Sequence, residues 1–275
     1  MKTSATSDLP IGVFDSGVGG LTVLQALRAA LPGEDLIYLG DTARLPYGTK
    51  SPGSIARYAC QATQHLQQQG IKLLVVACNT ASAVALEALR EQMAPLPVIG
   101  VVEPGASAAV ATGIGADHLV LATEATVRLG AYRKAIAALD QTASVRELAC
   151  ELLVSLAEEG WTEGSIAVDI VSRYFEQLEA AARTPDCVIL GCTHFPLLRN
   201  TIARVVEPGT RIVDSASTTA QAALAMLDSL HLRSSRGTAG SLRLLATDGA
   251  MRFARVGGRF LGASLSADDI ELVDL

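Results

Sequence analysis

Two cysteines stand where apolar runs end. In LLVVACNTAS, residues 73–82, Cys78 closes a hydrophobic stretch and is followed by a carboxamide and a hydroxyl, Asn79 and Thr80. In CVILGCTHFP, residues 187–196, Cys192 closes another and is followed by Thr193 and His194. A thiol at a strand-to-helix junction lies near unpaired helix N–H groups, which can draw its pKa below the usual value of about 8.5. Asn79, Thr80 and Thr193 offer uncharged hydrogen bonds to a small carboxylate, with a helix N-terminus supplying the local positive potential. His194, two residues past Cys192, is placed to tune that thiol or relay its proton, although a lone histidine also serves as core.

Three chemistries compete for these residues. A metal site on Cys78, Cys192 and His194 has neither C-x-x-C nor H-x-x-x-H spacing behind it. A thiol hydrolase needs one nucleophilic cysteine paired with a histidine, which leaves the second strand-end thiol without a role. Two thiols facing each other across a cleft suit proton transfer at a carbon centre: one, as thiolate, removes a proton while the other delivers one to the opposite face. A non-enzymatic reading also stands, a two-lobed binding protein for an acidic amino acid, in which both cysteines would be replaceable. Cys60, Cys150 and Cys187 read as small buried hydrophobes.

Other polar groups also fall at strand ends. DSGVGG, residues 15–20, joins a strand to a helix, and its glycines permit a tight turn. It lacks the Gly-Lys-Ser/Thr ending of a phosphate loop and the first glycine of a dinucleotide fingerprint. Asp15 is then a helix cap, a seat for an ammonium, or a helper in proton transfer. In LPYGTK, residues 45–50, Pro46 and Gly48 mark a turn, which either lies on the surface or lines the same cleft with Tyr47.

The elements that must position these groups alternate along the chain. IGVFD, DLIYLGD, IKLLVVA and LPVIGVV read as strands, separated by helical patterns over 21–31, 54–70 and 82–93. The alternation restarts with a strand at 117–123, a helix at 126–139, an irregular SLAEEGW, a long helix at 165–182 and a strand at 186–191. TRIVDSASTTAQAALAML adds a strand and helix, and the tail SLRLLATDGAMRFARVGGRFLG another pair. Near-continuous apolar strands between helices predict α/β architecture with parallel sheets covered on both faces. Asp15 precedes Cys78 by 63 residues and Thr123 precedes Cys192 by 69, so a polar strand end and a thiol strand end occur once in each half. Two similar lobes would thus present the carboxyl ends of their strands to one cleft.

Composition sets outer bounds. The 275 residues are 49% hydrophobic and 18% charged, enough apolar material for a substantial core. A net charge of −6 with no basic stripe argues against a nucleic-acid partner. No apolar run approaches the roughly 20 residues of a membrane span, and the N-terminus lacks the apolar region of a signal peptide. The first nine or so residues are small and polar, which predicts a frayed end. Five cysteines without framework spacing read as reduced thiols in the cytoplasm.

GVFDSGVGGLTVL, YLGDTARLPYG, CNTASA and LGCTHFPLL together closely resemble the signatures of the cofactor-independent aspartate/glutamate racemase superfamily, and within it the enzymes acting on glutamate. The resemblance runs from Ile11 to about Gly262. It implies two pseudo-symmetric open parallel-sheet lobes with the active site between them, residues 1–103 with 214–275 forming one and residues 104–213 the other. It implies interconversion of L- and D-glutamate without cofactor or metal, supplying D-glutamate for peptidoglycan, with aspartate as the nearest alternative substrate. Cys78 and Cys192 fall on the catalytic pair, and Asp15, His194 and Glu158 on residues that assist it. Asp15, Ser16, Tyr47, Gly48, Asn79, Thr80, Thr123, Thr126, Thr193 and His194 fall on substrate contacts. Glutamate is the partner so implied, with no nucleic acid and no membrane, and a homodimer is left open. Ala122 stands where a glycine is usual, Glu151 where a proline is common, and Leu129 where a small polar residue is usual.

Overall fold

A computed structural model describes residues 6–178 and 184–275. The chain runs β1 (Ile11–Asp15), α1 (Leu21–Ala30), β2 (Leu36–Gly40), α2 (Pro52–Gln68), β3 (Leu73–Val76), α3 (Asn79–Met93) and β4 (Val98–Gly100). Next come α4 (Val102–Val110), β5 (Asp117–Ala122), α5 (Glu124–Leu129), α6 (Ala131–Leu139), β6 (Ser144–Ala149), α7 (Glu151–Glu159) and α8 (Ser165–Phe175). β7 (Cys187–Gly191), α9 (Arg199–Val205), β8 (Arg211–Asp214), α10 (Ser215–Ser229), β9 (Leu242–Ala246), α11 (Ala250–Leu261) and β10 (Ile270–Leu272) complete it.

The strands form two sheets, ordered β10-β9-β2-β1-β3-β4 and β6-β5-β7-β8. Every pairing in them is parallel. β1, β2, β3, β5 and β7 are buried along their whole length, which is why they are apolar without alternation. In the first sheet the chain adds β2 on one side of β1 and then β3 on the other; in the second it adds β6 on one side of β5 and then β7 on the other. Each sheet therefore has a reversal of strand order beside its first strand, the place where open α/β sheets leave a crevice at the strands' carboxyl ends. Asp15 and Cys78 mark one reversal and Thr123 and Cys192 the other, so the repeated spacing in the sequence corresponds to equivalent strand pairs.

One continuous core joins the sheets. Ile11, Val13 and Val75 of the first sheet and Leu119, Leu121 and Val188 of the second belong to the same cluster, with Leu24 and Leu27 of α1 and Ala220 and Leu227 of α10. The outer faces carry separate clusters, one under α2 and α3 and one under α4 and α6.

Several elements differ from expectation. SLAEEG is not irregular: residues 155–159 lie in α7, which buries Leu153, Leu156 and Ala157 along one face and stops at Gly160 with φ 77°. The expected helix at 126–139 is broken at Gly130, whose φ of 59° ends α5 and begins α6. The expected helix at 165–182 ends at Phe175; its last residues fall among 179–183, outside the described residues. The polar N-terminus is described only from residue 6, and there it is held, because the buried Lys72 ammonium bonds the Ser7 carbonyl and pairs with Glu34.

Candidate active site

The two strand-order reversals open on one cavity of about 70 Å³. Cys78 and Cys192 line it from opposite sheets, together with Ser16, Tyr47, Gly48, Asn79, Thr80, Thr123, Glu158, Thr193 and His194. Asp15 and Thr126 are buried but not part of its wall. Two larger hollows of about 570 and 480 Å³ flank Glu103 and Ser107 of α4, and neither contains a thiol or a histidine. Size does not mark the reactive place here; the convergence of titratable groups does.

Cys78 caps α3: its Sγ accepts from the Ala81 N–H at 3.4 Å, and its thiol reaches Ser16 Oγ at 3.3 Å. Asn79 and Thr80 are the first helical residues and not a loop before the helix. The lowered thiol pKa expected at a helix N-terminus is reversed at Cys78. Burial pushes it up to about 12, and the nearby negative charges of Asp15 and Cys192 add to that. The two hydrogen bonds pull the other way and lose.

Cys192 leads into a 3-10 turn, Phe195–Leu198, and its Sγ lies 3.8 Å from His194 Nδ1. The other ring nitrogen, Nε2, lies 3.3 Å from Glu158 Oε1, and Arg252 donates to Glu158 Oε2 at 2.8 Å. The imidazole packs edge-on against Phe260 with ring centres 4.9 Å apart. Burial opposes the charged imidazole, but the bonds to Cys192 and Glu158 and the charges of Cys192 and Asp15 outweigh it, raising His194 to about 10. The bond to His194, with help from Arg252, holds Glu158 below the usual carboxylate range against its burial.

Asp15 Oδ2 accepts from the Gly17 N–H at 2.9 Å and from the Tyr38 hydroxyl at 3.4 Å, while Oδ1 has no partner at hydrogen-bonding geometry. Burial raises its pKa, offset in part by the backbone of Gly20, the charge of His194 and the backbone of Gly17 and Ser16. The Tyr47 hydroxyl donates to Asp41 at 2.6 Å, so this residue meets the cavity without a free hydroxyl. Thr80 and Thr123 face each other across the cleft with hydroxyls 3.1 Å apart, and Thr126 lies 3.2 Å behind Thr123.

Asn79 is clamped between the halves. The amide orientation that satisfies both its ends has nitrogen donating to the Tyr132 hydroxyl at 2.7 Å and the Gly191 carbonyl at 3.3 Å. Its oxygen then accepts from the Thr193 N–H at 3.3 Å. A second tie is the Thr22 hydroxyl of α1, which donates to the Thr193 carbonyl at 2.9 Å. Gly19 allows this approach, since a Cβ there would collide with Thr193 and His194. Glu151, the departure after Cys150, accepts from the Glu124 N–H at 2.5 Å and so joins the starts of α5 and α7.

Tyr38, Tyr132, Arg252 and Phe260 support these groups and were not singled out from the sequence. The tyrosines sit in apolar stripes where they read as core, and Arg252 lies on the polar side of an amphipathic helix where it reads as solvated. Among the described residues, no cluster of His, Cys, Asp or Glu has metal-ligating geometry, and no helix is long and apolar enough to cross a membrane.

Residues 11–223 match the Asp/Glu/hydantoin racemase family. The glutamate racemase of Geobacter metallireducens is 46% identical over 255 residues, 93% of each chain. The chain belongs to the Asp/Glu/hydantoin racemase family. As a racemase it is an isomerase, and solved members share its architecture. Glutamate racemase from Francisella tularensis, in complex with D-glutamate, superposes with a TM-score of 0.89 at 33% identity over 98% of each chain. The Thermus thermophilus enzyme, in complex with β-chloro-D-alanine, gives 0.86 at 41% identity, also over 98% of each. Across this racemase, then, the two-sheet α/β arrangement expected from the alternation of elements is what the fold adopts.

Proposed function

We propose that this racemase interconverts L- and D-glutamate by moving protons on and off Cα between Cys78 and Cys192. The observation that carries the reading is that these thiols, at equivalent strand ends of two separate sheets, line one cavity. One sulfur takes the Cα proton as thiolate, and the other, as thiol, returns a proton to the opposite face. Cys78 holds its proton, being pushed up to about 12, which casts it as donor. Cys192, bonded to an imidazole held cationic, takes the base role first, and the roles exchange for the other enantiomer. Negative charge at Cys192 raises the proton affinity of Cys78 further, so a thiolate at one sulfur favours a thiol at the other.

The carbanion that forms spreads charge into the α-carboxylate. Ser16, Thr80, Thr123 and Thr193 with the N-terminus of α3, which starts at Asn79, provide dipoles for that charge, while the Asn79 side chain and Thr126 hold them in place from behind. Tyr47 and Gly48 shape the wall, Asp15 assists Cys78, and His194 with Glu158 assists Cys192. The same reading divides the chain into residues 1–103 with 214–275 and residues 104–213, with substrate between them. The scheme draws on no metal or cofactor, works in the cytoplasm where thiols stay reduced, and supplies D-glutamate for peptidoglycan.

Incubating each pure enantiomer of glutamate and of aspartate in deuterated water tests this directly. Both glutamate enantiomers should lose optical rotation and take up deuterium at Cα. Exchange confined to aspartate would transfer the reading to that substrate, and no exchange in any sample would leave a binding protein.

A further inference from the structure

We propose that Arg252 is a positioning residue for proton transfer at Cys192, acting through Glu158 and His194 from the opposite half of the molecule. The proposal rests on the assignment of Cys192 as one of the two bases. Arg252 belongs to α11, which lies between β9 and β10 of the six-stranded sheet, whereas Glu158 belongs to α7, between β6 and β7 of the four-stranded one. The links run Arg252 to Glu158 Oε2 at 2.8 Å, Glu158 Oε1 to His194 Nε2 at 3.3 Å, and His194 Nδ1 to Cys192 Sγ at 3.8 Å.

Each carboxylate oxygen of Glu158 has one of these partners, so the carboxylate is a bridge with a defined plane. Arg259, also on α11, bonds only the Glu158 backbone carbonyl; it holds the end of α7 and leaves the carboxylate to Arg252. An exposed ion pair alone is worth little. Here the Arg252 side chain is 60% exposed but that of Glu158 only 19%, so the cation meets a carboxylate whose rotation sets the imidazole. Without Arg252 the carboxylate keeps one of its two anchors and loses a compensating charge. The other charged groups around the relay are Asp15, which acts on His194, Glu151 in the cavity wall and Asp248 in the hollow shared by Glu158 and Arg252. All three are acidic; Arg259 brings a second cation to the Glu158 carbonyl, and Arg252 is the one bonded to the carboxylate itself.

The test compares Arg252→Met, Arg252→Lys, Glu158→Gln and the Arg252→Met/Glu158→Gln double variant in glutamate racemisation across pH. Arg252→Met should lower kcat about fivefold with little change in KM, and move the acidic limb of the profile upward by about half a pH unit. Arg252→Lys should restore both. In the Glu158→Gln background, Arg252→Met should change nothing further. Salt gives a second reading that does not depend on Glu158→Gln being active. Raising the ionic strength to about 1 M should bring the wild type toward Arg252→Met and leave that variant flat.

Multiplicative losses in the double variant, an unmoved acidic limb, or equal salt response in wild type and Arg252→Met would overturn the proposal. A wild type that racemises glutamate yet shows any of these loses only the role of Arg252. A wild type that leaves Cα hydrogen in place loses the two-thiol scheme itself.

Discussion

The Asn79 carboxamide oxygen accepts from the Thr193 N–H at 3.3 Å, which ties the residue after one strand-end thiol to the residue after the other. The two thiol-bearing strand ends are thus joined directly, in addition to the core that the two sheets share. A reaction at a single carbon atom needs that kind of control, since a misplacement near 1 Å costs about a hundredfold in rate.

Removing either sulfur should end racemisation. Cys78→Ala and Cys192→Ala each take away a proton-transfer partner, and turnover should fall by about a thousandfold or more. Both residues border the cavity, so the fold should survive with about 1 kcal/mol lost. Polarimetry with circular dichroism separates the two effects. More than a tenth of wild-type turnover in either folded variant would contradict the two-thiol scheme.

Tyr132→Phe should loosen Asn79. The Tyr132 ring is fully buried, with Gly105 and Gly191 leaving the room it occupies, and its hydroxyl meets the Asn79 amide. Deleting the hydroxyl leaves a buried amide short of a partner, which costs about 1–3 kcal/mol. Urea unfolding should register that loss, and kcat should fall more than KM rises. A variant of unchanged stability and rate would reduce Tyr132 to filler.

Stability should decline as pH rises above neutrality, in a window set by His194. Its folded pKa is raised to about 10 from 6.5, so the folded state keeps a proton that the unfolded chain releases. This contribution is complete below about pH 6.5 and disappears as pH climbs through about 10. Unfolding free energies of wild type and His194→Gln, measured from pH 6 to 10, should therefore converge. A gap that stays constant over that range would mean the imidazole is not held cationic.

How much of this was legible in the chain varies by element. The central strands were readable because burial on both faces forces continuous apolar runs. β6, β10 and α4 were not. β6 and β10 are edge strands, where Arg146, Glu147 and Glu271 are tolerated and blur the pattern. α4 carries Glu103, Pro104 and Gly105 right after its first residue, Val102, and these resemble a turn, although a proline in the first helical turn removes no bond the helix needs. At the site, the short motifs around Cys78 and Cys192 were visible because they interrupt apolar runs with polar groups. Tyr38, Tyr132 and Arg252 were hidden because their own surroundings in sequence are those of ordinary core or surface.

The order of elements, the two thiol strand ends and the repeated spacing were settled by the sequence, since local patterning and short motifs depend on neighbours a few residues away. Folding alone decided that the thiols share a cavity, that the helix-end thiol of Cys78 gains rather than sheds proton affinity, and that a cation from α11 reaches Glu158. Proton affinity and alignment follow from burial and from charges brought together across tens to hundreds of residues, and no stretch of chain carries that information by itself.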